Sequence, residues 1–489
     1  MSMRLADLLR GVIAIDARLD RDIAELSLDS KSIVSGAAFV ALRGTQRHGI
    51  EFAAEAVARG AAIVLAEAPL PDIAQLDVPV VVIDDLRGRL GNIAHRFYGR
   101  ASESVRLIGV TGTNGKTSSV QMIAQALTDA GERSGSIGTL GIGLVGQLEA
   151  GERTTPDVIA VHRAIARMRA QGAASIAMEV TSHALAQGRV DALDFEIAVF
   201  TNLSRDHLDF HGSMEAYGAT KAQLFARPSL RTAVINVDDE FGSRLADRLR
   251  SGIRLIRTGV QRQDVEIHAS DVQTDAAGLC FTLWIEAERH AVSTRLIGRF
   301  NVSNLLGVAG VLHARGWQGA RIAAALAALD PVPGRMSRLG GDGQQPLVII
   351  DYAHTPDALD KALSTLRDHA AARLIVVFGC GGERDAGKRP QMAAMAERKA
   401  DVVIITDDNP RGENGDLIIA DIRAGLARPD AVQVERDRAR AIARAIGMAA
   451  ANDVVLIAGK GHEPYQEVDG VKRPFDDFQI AAALLKEAA

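Results

Sequence analysis

Short apolar runs alternate with Ala-rich stretches of helical period through the first hundred residues. Residues 37–42, 61–65 and 78–83 read as buried strands, and 52–59 as a helix between two of them. The small, polar stretch Gly99-Arg100-Ala101-Ser102-Glu103-Ser104 predicts a linker. Residues 106–110 form an apolar run that feeds a glycine-rich turn and then a helical pattern over 117–130. Further runs follow at 175–180, 197–201 and 233–237, and strands alternating with helices predict a parallel sheet covered on both faces. The pattern changes over 265–300. Phe281-Thr282-Leu283-Trp284-Ile285 alternates with period two, which predicts an antiparallel addition. Asp330-Pro331-Val332-Pro333-Gly334 marks a second break. Beyond it, runs at 347–350, 374–378, 402–406 and 454–458 are each followed by a helical stretch or a glycine-rich turn, the pattern of a second doubly wound unit. There is no internal repeat and no low-complexity tract.

Composition narrows this picture without redirecting it. Of 489 residues, 47% are hydrophobic and 24% charged, as in ordinary globular proteins. The net charge of −5, from 56 basic and 61 acidic residues, argues against a nucleic-acid binder held by a basic face. Two cysteines, Cys280 and Cys380, belong to no CxxC or Cys/His cluster and predict reduced thiols. Asp7 stands where a signal peptide needs apolar residues, and no run reaches the ~18 apolar residues of a membrane span. The expectation is a cytoplasmic protein without a membrane span.

The chemistry begins at Gly109-Val110-Thr111-Gly112-Thr113-Asn114-Gly115-Lys116-Thr117-Ser118, between a predicted strand and a predicted helix. Glycines let the backbone turn so that several N–H groups face phosphate oxygens. Lys116 can reach terminal phosphates, and Thr117 can ligate Mg²⁺. The spacing is a variant, because Val110 stands where the usual phosphate loop has its first glycine. Polar clusters then recur where predicted strands end, the place where ligands bind in open parallel sheets. They are Met178-Glu179-Val180-Thr181-Ser182-His183, the stretch from Thr201 through Asn202, Arg205, Asp206 and His207 to Asp209, and Tyr217-Gly218-Ala219-Thr220-Lys221. A carboxylate and an imidazole beside a phosphate loop suit a metal near a nucleotide. Four more clusters close the chain: Asp351-Tyr352-Ala353-His354-Thr355-Pro356, Gly379-Cys380-Gly381-Gly382-Glu383-Arg384, Asp407-Asp408-Asn409-Pro410-Arg411 and Gly459-Lys460-Gly461-His462-Glu463. Arg384 and Arg411 set against Asp408 and Glu463 would suit a zwitterion, since guanidinium forks hold carboxylate and acidic groups hold ammonium.

These motifs, in this order and over essentially the whole chain, resemble those of the Mur ligases. The resemblance implies an α/β enzyme of three domains. They are a smaller N-terminal α/β domain (1–103) for the uridine part of the substrate, a central phosphate-loop ATPase domain with a parallel sheet (104–334), and a C-terminal Rossmann-like domain (335–489) that brings an amino acid. It implies that Gly112 to Ser118 hold ATP, with Asn301, Arg335, Asp351 and His354 around the nucleotide. By the same match, Leu28, Ser30 and Thr45-Gln46-Arg47 hold the uridine part, and Thr154, Thr155, Thr181, Ser182, Gln187 and Arg189 hold the muramoyl peptide. Arg384, Asp408 to Arg411, Gly459 and Glu463 match positions that hold the amino acid. Asp408-Asn409-Pro410-Arg411 looks like the signature of members that add meso-diaminopimelate to UDP-N-acetylmuramoyl-L-alanyl-D-glutamate. The resemblance further implies that Lys221 is carbamylated and joins Thr117, Glu179 and His207 at Mg²⁺. The expected partners are the small-molecule substrates, with no nucleic acid, and the expected state is a monomer. One departure is Lys31, where many relatives have arginine. His354 and Glu179 are both candidates for the base that deprotonates the amine. Rival readings are a folylpolyglutamate-type ligase, which would lack the 408–411 motif, and a phosphate-loop ATPase or kinase without amide chemistry.

Overall fold

The computed structural model describes residues 2–44, 46–72, 75–275 and 277–487. It divides into two compact units, Met1–Ile256 and Arg257–Ala489. In the first unit, β1 (Met3–Arg4) and β2 (Asp22–Ile23) pair antiparallel. A parallel sheet follows in the order of the chain, β3 (Leu26–Ser27), β4 (Ala38–Ala41), β5 (Ile63–Glu67) and β6 (Val80–Ile83). Phe39, Ile50 and Val64 pack in its core, so the three apolar runs read in this region are strands, each beginning or ending within two residues of its predicted limits.

The larger sheet of this unit is built on β7 (Arg106–Thr111), β8 (Ser134–Gly138), β9 (Gly141–Leu144), β10 (Gln147–Glu149), β11 (Ser175–Glu179), β12 (Phe195–Phe200) and β13 (Thr232–Asn236), in the order β10-β9-β8-β11-β7-β12-β13. The run from β8 to β13 is parallel, and β8, β9 and β10 form an antiparallel meander at one end. β7 and β11 are buried almost throughout, which is why they read as continuous apolar runs. The meander was not predicted. Its glycines conceal it, because the backbones approach too closely for side chains: a Cβ on Gly143 would lie 2.3 Å from the Gln147 carbonyl oxygen.

The division after Ile256 falls within β14 (Arg254–Gly259), whose last residues pair parallel with β15 (Ile267–Asp275). β15, β16 (Gly278–Ile285) and β17 (Glu288–Thr294) are antiparallel, as their period-two alternation predicts. The main sheet of the second unit contains β18 (Ser337–Gly340), β19 (Leu347–Asp351), β20 (Leu374–Phe378), β21 (Val402–Ile405), β22 (Gln433–Val434) and β23 (Val454–Ala458). Their order is β18-β19-β23-β20-β21-β22, parallel except for the edge strand β18. Successive residues fill opposite faces. Ile349, Val376 and Leu456 join one core cluster, and Ile350, Val377 and Ile457 the other. Because the strands run parallel, Asp351, Phe378, Ile405 and Ala458 end on the same edge of the sheet, and the polar clusters emerge there. A last hairpin, β24 (Tyr465–Val468) and β25 (Val471–Pro474), turns through Asp469-Gly470, both with positive φ. Among the described residues no helix is long and apolar enough to cross a membrane.

Ile457 is fully buried in a central strand. Ile457→Ala is expected to cost about 2–5 kcal/mol, read as a shift of the urea midpoint. Leu417→Ala, at a residue 61% exposed, should change stability by no more than about 0.5 kcal/mol.

Candidate active site

In the first unit, β7 delivers the chain into the loop 112–115, and helix Lys116–Asp129 begins directly after it. Gly112 has φ +148°, and a Cβ there would lie 2.0 Å from Thr201 Oγ1. Only glycine fits, because the end of β12 clamps the loop. Thr201 Oγ1 donates to Asn114 O (2.6 Å), Thr113 N donates to Asn202 O (2.8 Å), and Asn114 N donates to Asn202 Oδ1 (3.0 Å). Lys116 Nζ folds back onto the loop and donates to Gly112 O (2.9 Å) and Thr113 O (2.8 Å). Ser118 is half-buried in the first turn of the helix.

Lys221 Nζ donates to the same Gly112 carbonyl at 2.8 Å and lies 4.4 Å from the centre of the Tyr217 ring. Its side chain is 1% exposed. Burial, and then the charge of Lys116, pull its pKa down to about 6, so the amine is largely neutral near pH 7. Glu179, at the end of β11, is also buried. Thr117 Oγ1 donates to its Oε2 (3.0 Å) and Thr139 N to its Oε1 (2.8 Å). Around it stand the residues matched to the muramoyl peptide. Thr155 Oγ1 donates to Glu179 O (2.8 Å) and lies 3.2 Å from Thr181 Oγ1, Thr154 Oγ1 lies 3.0 Å from Thr139 Oγ1, and Arg189 donates to Thr155 O (3.0 Å) and to Gln187. Ser182 Oγ lies 3.0 Å from His211 Nε2.

His207 has φ +53° and stands beside Asp206, 3.3 Å away, with its ring edge-on to His183 at 4.7 Å. Burial, followed by the neighbouring imidazoles, lowers the pKa of His183 and of His211. Neither histidine was among the predicted site residues; the only sequence signal was their place in or just beyond the strand-end motifs. Among the residues matched to the uridine part, Leu28 is half-buried and Ser30 Oγ donates to Glu55 (2.7 Å). Gln46 is exposed, and Arg47 pairs with Glu51 (3.0 Å). Thr45 lies outside the described residues. A separate cavity of about 820 Å³, lined by Leu203, Met214, Phe225 and Phe241, contains none of the predicted site residues.

In the second unit, Met336 N donates to Asp351 Oδ2 (2.9 Å); burial raises the pKa of that carboxyl, against the pull of this bond and of Arg335. Arg335 lies over the Tyr352 ring at 5.1 Å. His354 Nδ1 faces Tyr352 O at 2.8 Å, and burial lowers the ring's pKa. A neutral ring must then carry its proton on Nδ1, which leaves Nε2 as an acceptor. Asn301 Nδ2 donates to Ile297 O (2.8 Å) and its Oδ1 accepts from Asn304, a residue the sequence reading passed over.

At the next strand ends, Arg384 is exposed, and Arg411, at φ +53°, donates to Gly382 O (2.7 Å). Asp408, Asn409, Pro410 and Gly459 are buried. Asn409 Nδ2 donates to Glu463 Oε2 (2.9 Å), while Asn409 Oδ1 accepts from Lys460 Nζ (2.9 Å) and Glu467 N (2.9 Å). Both polar atoms of the Asn409 side chain are therefore used to fix its neighbours. Burial raises the pKa of Asp408, against the pull of Arg438 and Lys460.

Profiles of the Mur ligase family match three stretches of the chain: the family's catalytic domain over residues 22–98, its middle domain over 110–312 and its glutamate ligase domain over 334–461. A protein of Xanthomonas campestris pv. campestris named UDP-N-acetylmuramoyl-L-alanyl-D-glutamate--2,6-diaminopimelate ligase is 56% identical over 475 residues, 96% of each chain. The chain belongs to the Mur ligase family. A solved structure carrying the same ligase name superposes with a TM-score of 0.74 at 36% identity, covering 100% of this chain and 99% of the other. The MurF ligase of Thermotoga maritima in complex with ADP gives a TM-score of 0.64 at 17% identity, over 97% of this chain and 100% of that one, a likeness of fold. Membership in the family makes the chain an ATP-dependent ligase.

The neutral state of Lys221 has a measurable cost. Between pH 6 and 10.5 the unfolded chain binds a proton at this lysine that the folded chain does not, so its contribution to stability rises with pH across that window. In CO₂-depleted buffer, the stability of Lys221→Met relative to wild type should be most favourable near pH 6 and fall steadily toward pH 10.5. Paired urea titrations measure it, and a difference independent of pH would contradict the buried neutral amine.

Proposed function

We propose that the chain joins meso-diaminopimelate to UDP-N-acetylmuramoyl-L-alanyl-D-glutamate, consuming ATP. The carrying observation is the arrangement at the phosphate loop, where Lys116, Lys221 and the Thr117–Glu179 pair are brought together by the ends of β7 and β11 and by the helix Met214–Ala222. Relatives at 51–56% identity bear the name of this activity, and the Asp408–Arg411 motif at a strand end supports the amino acid assigned. Three domains, 1–103, 104–334 and 335–489, are the organisation we infer, supported by the three separate family matches.

A carboxylate is a poor electrophile. In the first step a carboxylate oxygen of the D-glutamate attacks the terminal phosphorus of ATP, ADP leaves, and an acyl phosphate forms. Two anions must approach each other, and Lys116 offsets part of that repulsion. In the second step the amine attacks the acyl carbon, phosphate leaves with the bonding pair, and an amide remains. Of the two candidate bases, Glu179 is the one placed at the Mg²⁺ and accepts from Thr117 and Thr139, whereas His354 Nε2 has no hydrogen bond among the described residues. We therefore assign the amine proton to His354.

The oxygen-rich donor set fits Mg²⁺. Thr117 Oγ1 and Glu179 Oε2 lie 3.0 Å apart, and a carbamate on Lys221 would add oxygens, with His207 completing the set. Bound there, the ion would supply positive charge against the phosphates. Carbamylation requires a neutral amine, which burial provides at Lys221.

Phosphate release tests the reading. Wild-type protein with ATP and the UDP-dipeptide should release phosphate only when meso-diaminopimelate is added. L-lysine should support it about tenfold to a hundredfold less well, because it brings no distal carboxylate to Arg384 and to Arg411, whose Nε faces Glu467 at 3.8 Å. Equal turnover of the two amino acids would remove the specificity assigned to residues 408–411. Lys221→Ala should be nearly inactive and partly restored by formate or acetate, which replace the missing anion. A variant with wild-type turnover would end the carbamate proposal.

A further inference from the structure

Behind the strand-end cluster of the second unit lie three buried charged residues, Arg438, Asp477 and Lys460, that the proposed reaction does not use. Arg438 and Asp477 form a two-pronged ion pair, Nε to Oδ1 at 2.8 Å and NH2 to Oδ2 at 2.7 Å, with both side chains 0% exposed. The guanidinium has further donors, and both point at backbone. NH2 donates to Ala458 O at 3.0 Å, and NH1 lies 3.5 Å from Asp407 O. Ala458 is the last residue of β23 and Asp407 precedes Asp408, so one side chain holds the two strand ends from which 408–411 and 459–463 emerge. Asp437 caps the helix Arg438–Met448 and fixes where Arg438 starts.

Lys460 is likewise 0% exposed. Its Nζ donates to Asn409 Oδ1 (2.9 Å) and reaches Glu463 Oε2 (3.4 Å) and Asp408 Oδ1 (3.6 Å). Asn409 in turn holds Glu463. Within this set the carboxylates Asp408, Glu463 and Asp477 face the cations Arg438 and Lys460. Asp408 Oδ1 has no hydrogen-bond partner among the described residues. Packing alone does not explain such a set, since apolar residues of the same volume serve a core as well or better. What apolar residues cannot do is bond to two loop carbonyls and to an amide and a carboxylate of known orientation.

We propose that Asp477, Arg438 and Lys460 are positioning residues for the amino-acid subsite. They touch no substrate. They hold Asp408–Asn409 and Gly459–Glu463 at a fixed separation, so that the groups facing the incoming amino acid keep one arrangement. The inference rests on the reading of this cluster as the amino-acid subsite. A purely structural ion pair would make a different set of variants tolerable, and that difference is measurable.

The experiment compares wild type, Asp477→Asn, the neutral double replacement Arg438→Met with Asp477→Leu, and Lys460→Gln in the full chain. KM for meso-diaminopimelate, ATP and the UDP-dipeptide is measured alongside the melting temperature. Each variant is expected to raise the amino-acid KM about tenfold or more while the other two KM values stay within about twofold; a tenfold change corresponds to ~1.4 kcal/mol. The double replacement should recover melting temperature relative to Asp477→Asn but not the amino-acid KM. If Asp477→Asn does not fold, the double replacement and Lys460→Gln decide the matter. Recovery of the amino-acid KM in the double replacement, or equal movement of all three KM values, overturns the positioning role. Wild-type protein that releases no phosphate with meso-diaminopimelate overturns the functional reading, and this inference with it.

Discussion

One carbonyl oxygen organises the first unit. Gly112 O accepts from both Lys116 Nζ and Lys221 Nζ, at 2.9 and 2.8 Å. Two full positive charges so close together in a buried setting repel strongly, and the repulsion is relieved when one lysine gives up its proton. Burial selects Lys221, which is 1% exposed and the more enclosed of the two. The same closeness demands glycine at 112, since any side chain would collide with Thr201. The loop's shape, the state of its lysines and the clamp from β12 are thus one constraint seen from three sides.

The second unit solves a different problem by the same geometry. Strands buried on both faces cannot carry polar side chains along their length, so the chemistry is displaced to their ends. Parallel strands place those ends on one edge, where Asp351, the glycine-rich turn after Phe378, Asp408 to Arg411 and Gly459 to Glu463 gather. Concentrating carboxylates there would be unfavourable without counter-charges. Arg438 and Lys460 supply them from beneath, and buried Arg389 does so nearby, paired with Glu413 and Asp421 and donating to Gly381 O.

Positive φ at non-glycine residues falls repeatedly within these clusters, at His207, Glu383 and Arg411. Such conformations are held only where surrounding contacts determine them. At Arg411 those contacts are visible: its N donates to Glu467 O and its carbonyl accepts from Asp469 N, so the hairpin β24–β25 grips the residue from both sides.

The sequence by itself determined the strand order of the chemistry: which motifs stand at strand ends, the phosphate loop, the α/β class and the family. These are local properties, written in the spacing of apolar runs and in contiguous motifs. It could not show the glycine-rich meander β8–β10, because glycines suppress the apolar alternation that would reveal it. Nor could it mark Arg438, which sits in the arginine-rich stretch 436–444, outside every strand-end motif. Only the tertiary structure buried that arginine against Asp477, 39 residues away, and aimed it at two strand ends. It alone also decided that Asn409 serves Glu463 and Lys460, and that Lys221 is neutral. The physical reason is common to these cases. The charge state and the partner of a polar side chain depend on how much water is removed from it and on what lies across the gap. Both are set by residues distant in the chain.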